Sequence, residues 1–475
     1  MISYYHLGLK PVKKFNYCNT SYHLYVILID FEKIGLTRAH IINQLKNRNI
    51  GVQVHYPPLH LQKIYGYSKK LSGSEEYYRK CLSLPLFPQL TFNDVDYVVK
   101  HVKNLINKNF ILADDIGAWA LGCAGNPEVR TPNLDRLAAS GMRLENAYCV
   151  SPVCSPARAS LLTGKIPSQH GVHDWIRRGN APSESKDGAL IDYLAGQTTY
   201  TEILERNGYV CGLSGKWHLG NAPEAQKGHR YWRVHARGGG PYYDAPMIRE
   251  GEEYREARYV TDVITENALE FIEEQPSRES PFYLGVHYTA PHSPWGRDQH
   301  PAEFFDPYYN DCPFESVPEL PMHPWQINTA PYGITPESRR ELLSGYYASI
   351  TAMDAGIGRL LDALEGQGVL EDTLIVFTGD NGMNMGHHGI YGKGNGTYPQ
   401  NMYDTSVKVP FLIAQPGRIP PGAVSYELFS HYDFMPTLLD YIGLDTAIPE
   451  QLPGGVQTGL WTCGASTEGA ADAPL

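Results

Sequence analysis

None of the apolar runs in this 475-residue chain approaches the length of a membrane span, and no membrane partner is expected. The opening residues, MISYYHLGLKPVKKFNY, lack both an apolar core and a small-residue cleavage site. No signal peptide is expected there, and the expected location is the cytoplasm. Eight cysteines, at 18, 81, 123, 149, 154, 211, 312 and 463, never form a CxxC pair. That spacing offers neither a zinc knuckle nor a disulfide framework, and a reducing compartment is the default. Lysine is scarce after residue 108: twelve lie before that point and six beyond it, whereas arginine runs from three to nineteen. Net charge changes with it, from +9 over residues 1–108 to −20 over 109–475. The early lysines are spread out rather than clustered, so a solvated surface is expected and no nucleic-acid partner. Lys and Arg carry the same charge, so electrostatics does not explain the exchange of one for the other. It points to two stretches of different ancestry joined near residues 108–110.

What is present is globular, with 42% hydrophobic and 11% aromatic residues. Residues 1–108 read as a small α+β unit. HLYVILIDF is a strand-like run, TRAHIINQLKNRNIGVQVHY places Ile41, Ile42 and Leu45 at helical spacing before an alternating Val52 and Val54, and DVDYVVKHVKNLI reads as an amphipathic helix. Past Lys108 an apolar run ends in Asp114–Asp115. Far downstream DTLIVFTGDNG repeats the design, ending in Asp380–Asn381. Each pair is expected at the carboxyl end of a strand, the edge where α/β sheets build sites. Three carboxylates and one amide oxygen are hard ligands that suit Ca²⁺ or Mg²⁺ rather than zinc. Either pair alone would read equally as turn residues after a strand; two at matching places favour the metal.

Between them lies VCSPARASLLTG, residues 153–164. Ser155 is expected to cap and Pro156 to open a helix that ends near Gly164. Cys154 then sits at a helix N-terminus, where the dipole favours an anion or a thiolate, with Arg158 about one turn on. A Cys nucleophile with a His base and a buried structural Cys both fit these residues.

The string C-S-P-A-R followed by S-L-L-T-G resembles the signature of the formylglycine-dependent, alkaline-phosphatase-like sulfatases, and the resemblance runs from about residue 109 to 454. It implies an α/β fold with a large mixed sheet flanked by helices. It implies that a separate maturation enzyme oxidises Cys154 to an aldehyde, whose hydrated diol attacks sulfur with one hydroxyl and expels sulfate with the other. Asp114, Asp115, Cys154, Asp380 and Asn381 are implied as metal ligands, holding Ca²⁺ or Mg²⁺. Lys216 in LSGKWHLG, His292 in YTAPHSPW and Lys393 in GHHGIYGKGNGTYP are implied to hold sulfate or leaving-group oxygens. His218 would act as acid/base on the diol and Arg158 would steady it. His387, His388 and residues 171–180 are candidates for the pocket wall. The implied substrate is a small-molecule or glycan sulfate ester; a phosphate or phosphonate monoester is the sister reading, and a catalytically dead fusion a third.

Residues 21–106, at SYHLYVILID, GVQVHYPPLHLQ and CLSLPLFPQLT, resemble the C-terminal part of pyridoxal-phosphate sugar aminotransferases. The family's cofactor lysine belongs to a large domain that has no counterpart here, so no pyridoxal phosphate is expected, and His55 and His60 read as loop residues. The expected organisation is therefore 1–108, an aminotransferase-like fragment; 109–454, a catalytic domain; and 455–475, a disordered tail with few apolar residues. Two departures from the sulfatase pattern are expected. The strand before Asp114 is cut short by LINKNF, so that it is either frayed or borrowed from the linker, and the small C-terminal subdomain that relatives carry is replaced by GVQTGLWTCGASTEGAADAPL, leaving apolar surface bare.

Overall fold

The computed structural model describes residues 9–11, 24–29, 31, 38–46, 49–62, 70–103, 107–184, 187–274 and 281–462. Three short strands, β1 (Leu9–Pro11), β2 (Tyr25–Ile29) and β3 (Cys81–Leu84), pair antiparallel in the order β1-β2-β3. Their core holds Ile27, Ile29, Ile41, Leu45, Leu82 and Leu84, with Ile41 and Leu45 supplied by the helix Arg38–Lys46. The alternation at Val52 and Val54 makes only a single bridge, Gln53 to Ser83. The helix expected from Asp94 begins at Phe92, because Thr91 and Asp94 satisfy each other's backbone N–H groups. His55 and His60 are engaged by Ser83 and Glu75, as loop residues would be.

Ten strands build the main sheet: β4 (Asn107–Ala113), β5 (Met142–Tyr148), β6 (Val210–Lys216), β7 (His229–His235), β8 (Ala245–Arg249), β9 (Glu252–Glu256), β10 (Phe282–His287) and β11 (Thr373–Gly379), then, beyond the small β12 (Asn384–Met385) and β13 (Tyr391–Gly392) pair, β14 (Phe411–Ala414) and β15 (Ala423–Ser430). Their order is β15-β5-β14-β11-β4-β10-β6-β7-β8-β9. The four central strands β11, β4, β10 and β6 are parallel, while β14, β8 and β9 bring antiparallel pairs. Helices cover both faces, as a buried parallel sheet requires. Alternation along β4 shows the two layers: Ile111 and Ala113 enter one, packed under the long helix Pro336–Gly366 and the helix Val260–Glu273. Phe110 and Leu112 enter the other, under helices Cys154–Thr163 and His431–Tyr441. Among the described residues no helix is long and apolar enough to cross a membrane.

Two expectations are corrected. The strand before Asp114 is neither short nor frayed; it borrows residues of the linker. Asn107, Lys108 and Asn109 complete seven residues in register with Thr373, Leu374 and Ile375 of β11. Polar residues thereby occupy core positions: Lys108 is 2% exposed and Asn109 1%. The Lys108 ammonium donates to the Tyr209 hydroxyl and lies 3.8 Å over that ring. Burial lowers its pKa well below the usual lysine value. Neither polar atom of the Asn109 side chain finds a partner among the described residues. Nor does structure stop at residue 455. The Gly455 N–H donates to Asp433 at 2.9 Å, a helix spans Thr458–Thr462, and Trp461 is fully buried among Phe429, Phe434 and Tyr441. One tryptophan buries enough apolar surface to dock a segment that composition alone reads as loose. Residues 463–475 lie outside the described residues.

Candidate active site

The site forms where the central parallel strands end. β4 and β11 are neighbours with Ala113 opposite Gly379, so the residues that follow, Asp114–Asp115 and Asp380–Asn381, emerge side by side. The Asp115 N–H donates to Asp380 Oδ1 at 3.1 Å and Asn381 Nδ2 to Asp115 Oδ1 at 2.9 Å. Asp115 holds a left-handed backbone, φ 65°, a conformation that costs a non-glycine residue about 1 kcal/mol or more. Carboxylate oxygens of Asp114, Asp115 and Asp380 all lie within 4.8 Å of one another, and all three residues are buried.

The helix Cys154–Thr163 follows β5 and ends at Gly164, φ 66°, as expected. It starts earlier than expected: Val153 is the N-cap and Cys154 the first helical residue, with Ala157 N–H donating to the Val153 carbonyl at 3.1 Å. Ser155 is therefore not the cap. Its hydroxyl oxygen instead accepts the Ile176 N–H at 3.2 Å. Cys154 Sγ lies 3.3 Å from Asp114 Oδ1, 3.8 Å from Asp115 Oδ1 and 2.7 Å from Lys393 Nζ. The helix N-terminus does not produce a thiolate. Burial first, then Asp114, pushes the thiol well above its ordinary value against the pull of Lys216 and Lys393. The unmodified thiol is thus a poor nucleophile, which counts against a Cys–His mechanism.

Three basic side chains enclose the carboxylates. Lys216, the last residue of β6, places Nζ 2.5 Å from Asp114 Oδ2; Lys393 places its Nζ 2.5 Å from Asp115 Oδ1. Arg158 donates from Nε to Asp380 Oδ2 and from a terminal nitrogen to the Lys216 carbonyl, both at 2.9 Å, and approaches Asp114 at 3.8 Å. It therefore grips the acid cluster; among the described hydrogen bonds it makes none to Cys154. Burial pushes Asp380 up, but Arg158, Lys216 and Lys393 outweigh it and hold the carboxyl well below the carboxylate range. Asp115 is likewise held down, burial notwithstanding, by Lys393 and His292, whereas burial dominates at Asp114 and raises it.

His292 Nε2 stands 3.6 Å from Asp115 Oδ2. His218 (φ 58°) sits beside the start of the Cys154 helix: Nε2 is 3.0 Å from the Ile176 carbonyl and Nδ1 3.4 Å from Ser155 Oγ. A carbonyl only accepts, so Nε2 carries the proton and Nδ1 keeps its lone pair. Burial first, then Lys216, drives the imidazole pKa well below 6.5, so it is neutral. A cavity of about 380 Å³ opens from Asp115, His292 and Lys393 past Trp175, Arg177, Gly238, Gly239 and Asn328. Residues 171–180 do reach this wall, through Trp175 and Arg177. His387 and His388 do not line it; His387 packs against Trp119 with the rings tilted, and His388 stacks on Tyr403. The two glycines, Trp295 and the 328–330 loop carry no signal that sequence reading used, although three successive glycines at 238–240 mark a close backbone approach.

The donor set fits a hard divalent cation. Three carboxylates converge, and Asn381 Oδ1 is buried with no hydrogen-bond partner among the described residues, an orphaned acceptor that an oxygen-seeking ion would satisfy. A mixed sheet with this cluster at its carboxyl edge is what the resemblance to the alkaline-phosphatase-like ester hydrolases implies. The comparisons carry it further. The sulfatase family model matches residues 107–444, and the DegT/DnrJ/EryC1/StrS aminotransferase family model matches residues 5–103. The chain is 29% identical over 411 residues to an N-acetylglucosamine-6-O-sulfatase of Bacteroides thetaiotaomicron, covering 73% of this chain and 69% of that protein. It is 33% identical over 360 residues to an ulvan-active sulfatase of Formosa agariphila, covering 73% and 63%. A solved structure in complex with its substrate D-glucosamine-2-N,6-O-disulfate superposes with TM-score 0.62 at 24% identity, over 76% of this chain and 81% of that one. The chain belongs to the sulfatase family.

Proposed function

We propose that this chain hydrolyses sulfate monoesters, carbohydrate sulfates foremost, at the Cys154 site. The observation that carries the reading is the convergence of Asp114, Asp115, Asp380 and Asn381 on one another, with Cys154 against Asp114 and Asp115, and Lys216, His292 and Lys393 on the same two carboxylates. Asp114, Asp115, Asp380 and Asn381 would hold Ca²⁺ or Mg²⁺, and the bound cation and the aldehyde form of Cys154 would together supply Lewis acidity and a hydroxyl nucleophile. The chain's own residues do the rest. Arg158, Lys216 and Lys393 balance the three carboxylates in charge, so a divalent cation leaves the inner site with two positive charges, which suits a sulfate ester anion. Lys216, His292 and Lys393 bind its oxygens where charge develops, and Arg158 keeps Asp380 in place. Neutral His218, held by Nε2 on the Ile176 carbonyl, would have to release Nδ1 from the Ser155 hydroxyl before it could accept a proton at that atom.

Maturation by a formylglycine-generating enzyme is part of the proposal. The test is the mass of the peptide containing Cys154, measured on protein whose kcat/KM is determined in parallel on aryl sulfate and aryl phosphate. Aldehyde at position 154 with preference for the sulfate supports the reading. Unmodified thiol in active protein refutes it, and preference for the phosphate moves the assignment to the phosphate or phosphonate monoester hydrolases.

A further inference from the structure

The segment 175–177 belongs to no helix or strand and is tied down at its middle residue. Ile176 is 5% exposed, its N–H donates to Ser155 Oγ and its carbonyl meets His218 Nε2. Ile176 is buried, whereas Trp175 and Arg177 on either side of it both line the cavity. Trp175 is 43% exposed and its ring stands edge-on to His218, with centroids 6.2 Å apart. The Arg177 guanidinium lies 5.5 Å from the Trp175 ring centroid. Among the described residues it has no carboxylate partner, and the only acid in the cavity wall is Asp115, which belongs to the cation cluster. The far wall is bare backbone: a Cβ on Gly238 would come within 2.2 Å of the His218 ring, and one on Gly239 within 2.8 Å of the His292 ring. The cavity thus offers an aromatic face, two glycines on its wall, and an exposed guanidinium beside Trp175 with no carboxylate partner among the described residues.

We infer that this cavity selects a sulfated sugar bearing a second anionic substituent, with Trp175 against the sugar ring and Arg177 holding the second anion. The inference rests on the sulfatase reading. N-sulfate, O-sulfate and carboxylate share the planar or trigonal oxygen array that a guanidinium fork matches.

The test is calorimetric binding to calcium-loaded Cys154→Ala protein, which cannot turn over. The probes are N-acetylglucosamine 6-sulfate, glucosamine 2-N,6-O-disulfate and a 6-sulfated disaccharide carrying a uronate. The expected result is tighter binding of at least one dianionic sugar over the monosulfate, by about 10-fold or more, with the winning arm identifying the anion. That preference collapses in Arg177→Gln and returns in part in Arg177→Lys, while Trp175→Ala weakens all three sugars alike. A preference ratio near one, or one that Arg177→Gln leaves intact, overturns the inference. If no sulfate ester is turned over by the protein carrying Cys154 while the Arg177-dependent ratio persists, the hydrolase reading falls and this one stands. Turnover without that ratio does the reverse.

Discussion

Replacing Asn109 by valine should stabilise the protein. Asn109 sits in the middle of the central strand β4, flanked by Leu284 of β10 and Ile375 of β11, on the same face as Ile111 and Ala113. It is 1% exposed, and neither its amide nitrogen nor its oxygen has a hydrogen-bond partner among the described residues. An unpaired buried amide costs about 1–3 kcal/mol by protein mutational measures. Valine is close in volume and well suited to a strand; its slightly larger bulk gives back up to about 1 kcal/mol in strain. A net gain of about 1–2 kcal/mol follows, read as a rise of about half a molar in the urea midpoint at unchanged m-value. Asn109→Ala serves as the second variant, since it removes the amide and adds nothing. An unchanged or lowered midpoint in both refutes the reasoning, because it would mean that the amide is satisfied in the native state.

The neighbouring Lys108→Met variant adds a pH signature. The folded lysine's pKa is depressed by burial, so the unfolded chain binds the proton over the interval up to about 10.5, and wild-type stability climbs with pH across it; the methionine variant should lose that slope in urea titrations run across the interval. Arg158→Met leaves Asp380 and Asp114 without their guanidinium, and a loss of about 3–5 kcal/mol is expected in the metal-free protein by urea denaturation, partly recovered on adding Ca²⁺. Gly238→Ala drives a methyl into the His218 ring, whereas Gly240→Ala meets His235 at 3.4 Å, an ordinary contact; kcat on an aryl sulfate should fall at least tenfold in the first and change less than twofold in the second. His170, His229 and His300 are each held down to about 4 by burial. The unfolded chain protonates these groups near 6.5 and the folded chain does not, so their stabilisation is complete above about pH 6.5 and is lost progressively towards pH 4, at about 1–3 kcal/mol each. A urea midpoint that stays flat from pH 7 to 5 would refute that assignment.

Much of the site was legible because short-range order carried it. An apolar run ending in Asp114–Asp115 and another ending in Asp380–Asn381 are strand ends whatever the rest of the fold, and the sheet order places them together. Cys154, Lys216, His292 and Lys393 were read through their resemblance to a known pattern, and the geometry brings all four to the acid pairs. The role expected of Arg158 differs from its contacts, because one helical turn leaves the direction of a long side chain open and Asp380 attracts it more strongly than position 154. The helix start was misplaced because Ser-Pro is a good cap signal in isolation, whereas Ser155 is taken up by Ile176 and His218. Lys108 and Asn109 read as linker because polar residues rarely fill a central strand; register with β11 puts them there regardless. Trp461 was hidden in a glycine- and threonine-rich tail, since composition averages over the one side chain that docks.

The central strand has a long wait during synthesis. β4 is made early, at residues 107–113, yet both partners come much later, at 282–287 and 373–379. A ribosome that has not yet passed residue 379 holds a nascent chain whose middle strand has an open edge, and its phenylalanine, isoleucine and leucine stay available to other chains. Release of arrested nascent chains ending before and after β11 should therefore separate aggregating from soluble products at that strand, and holdase chaperones should matter most in the interval between the two partners.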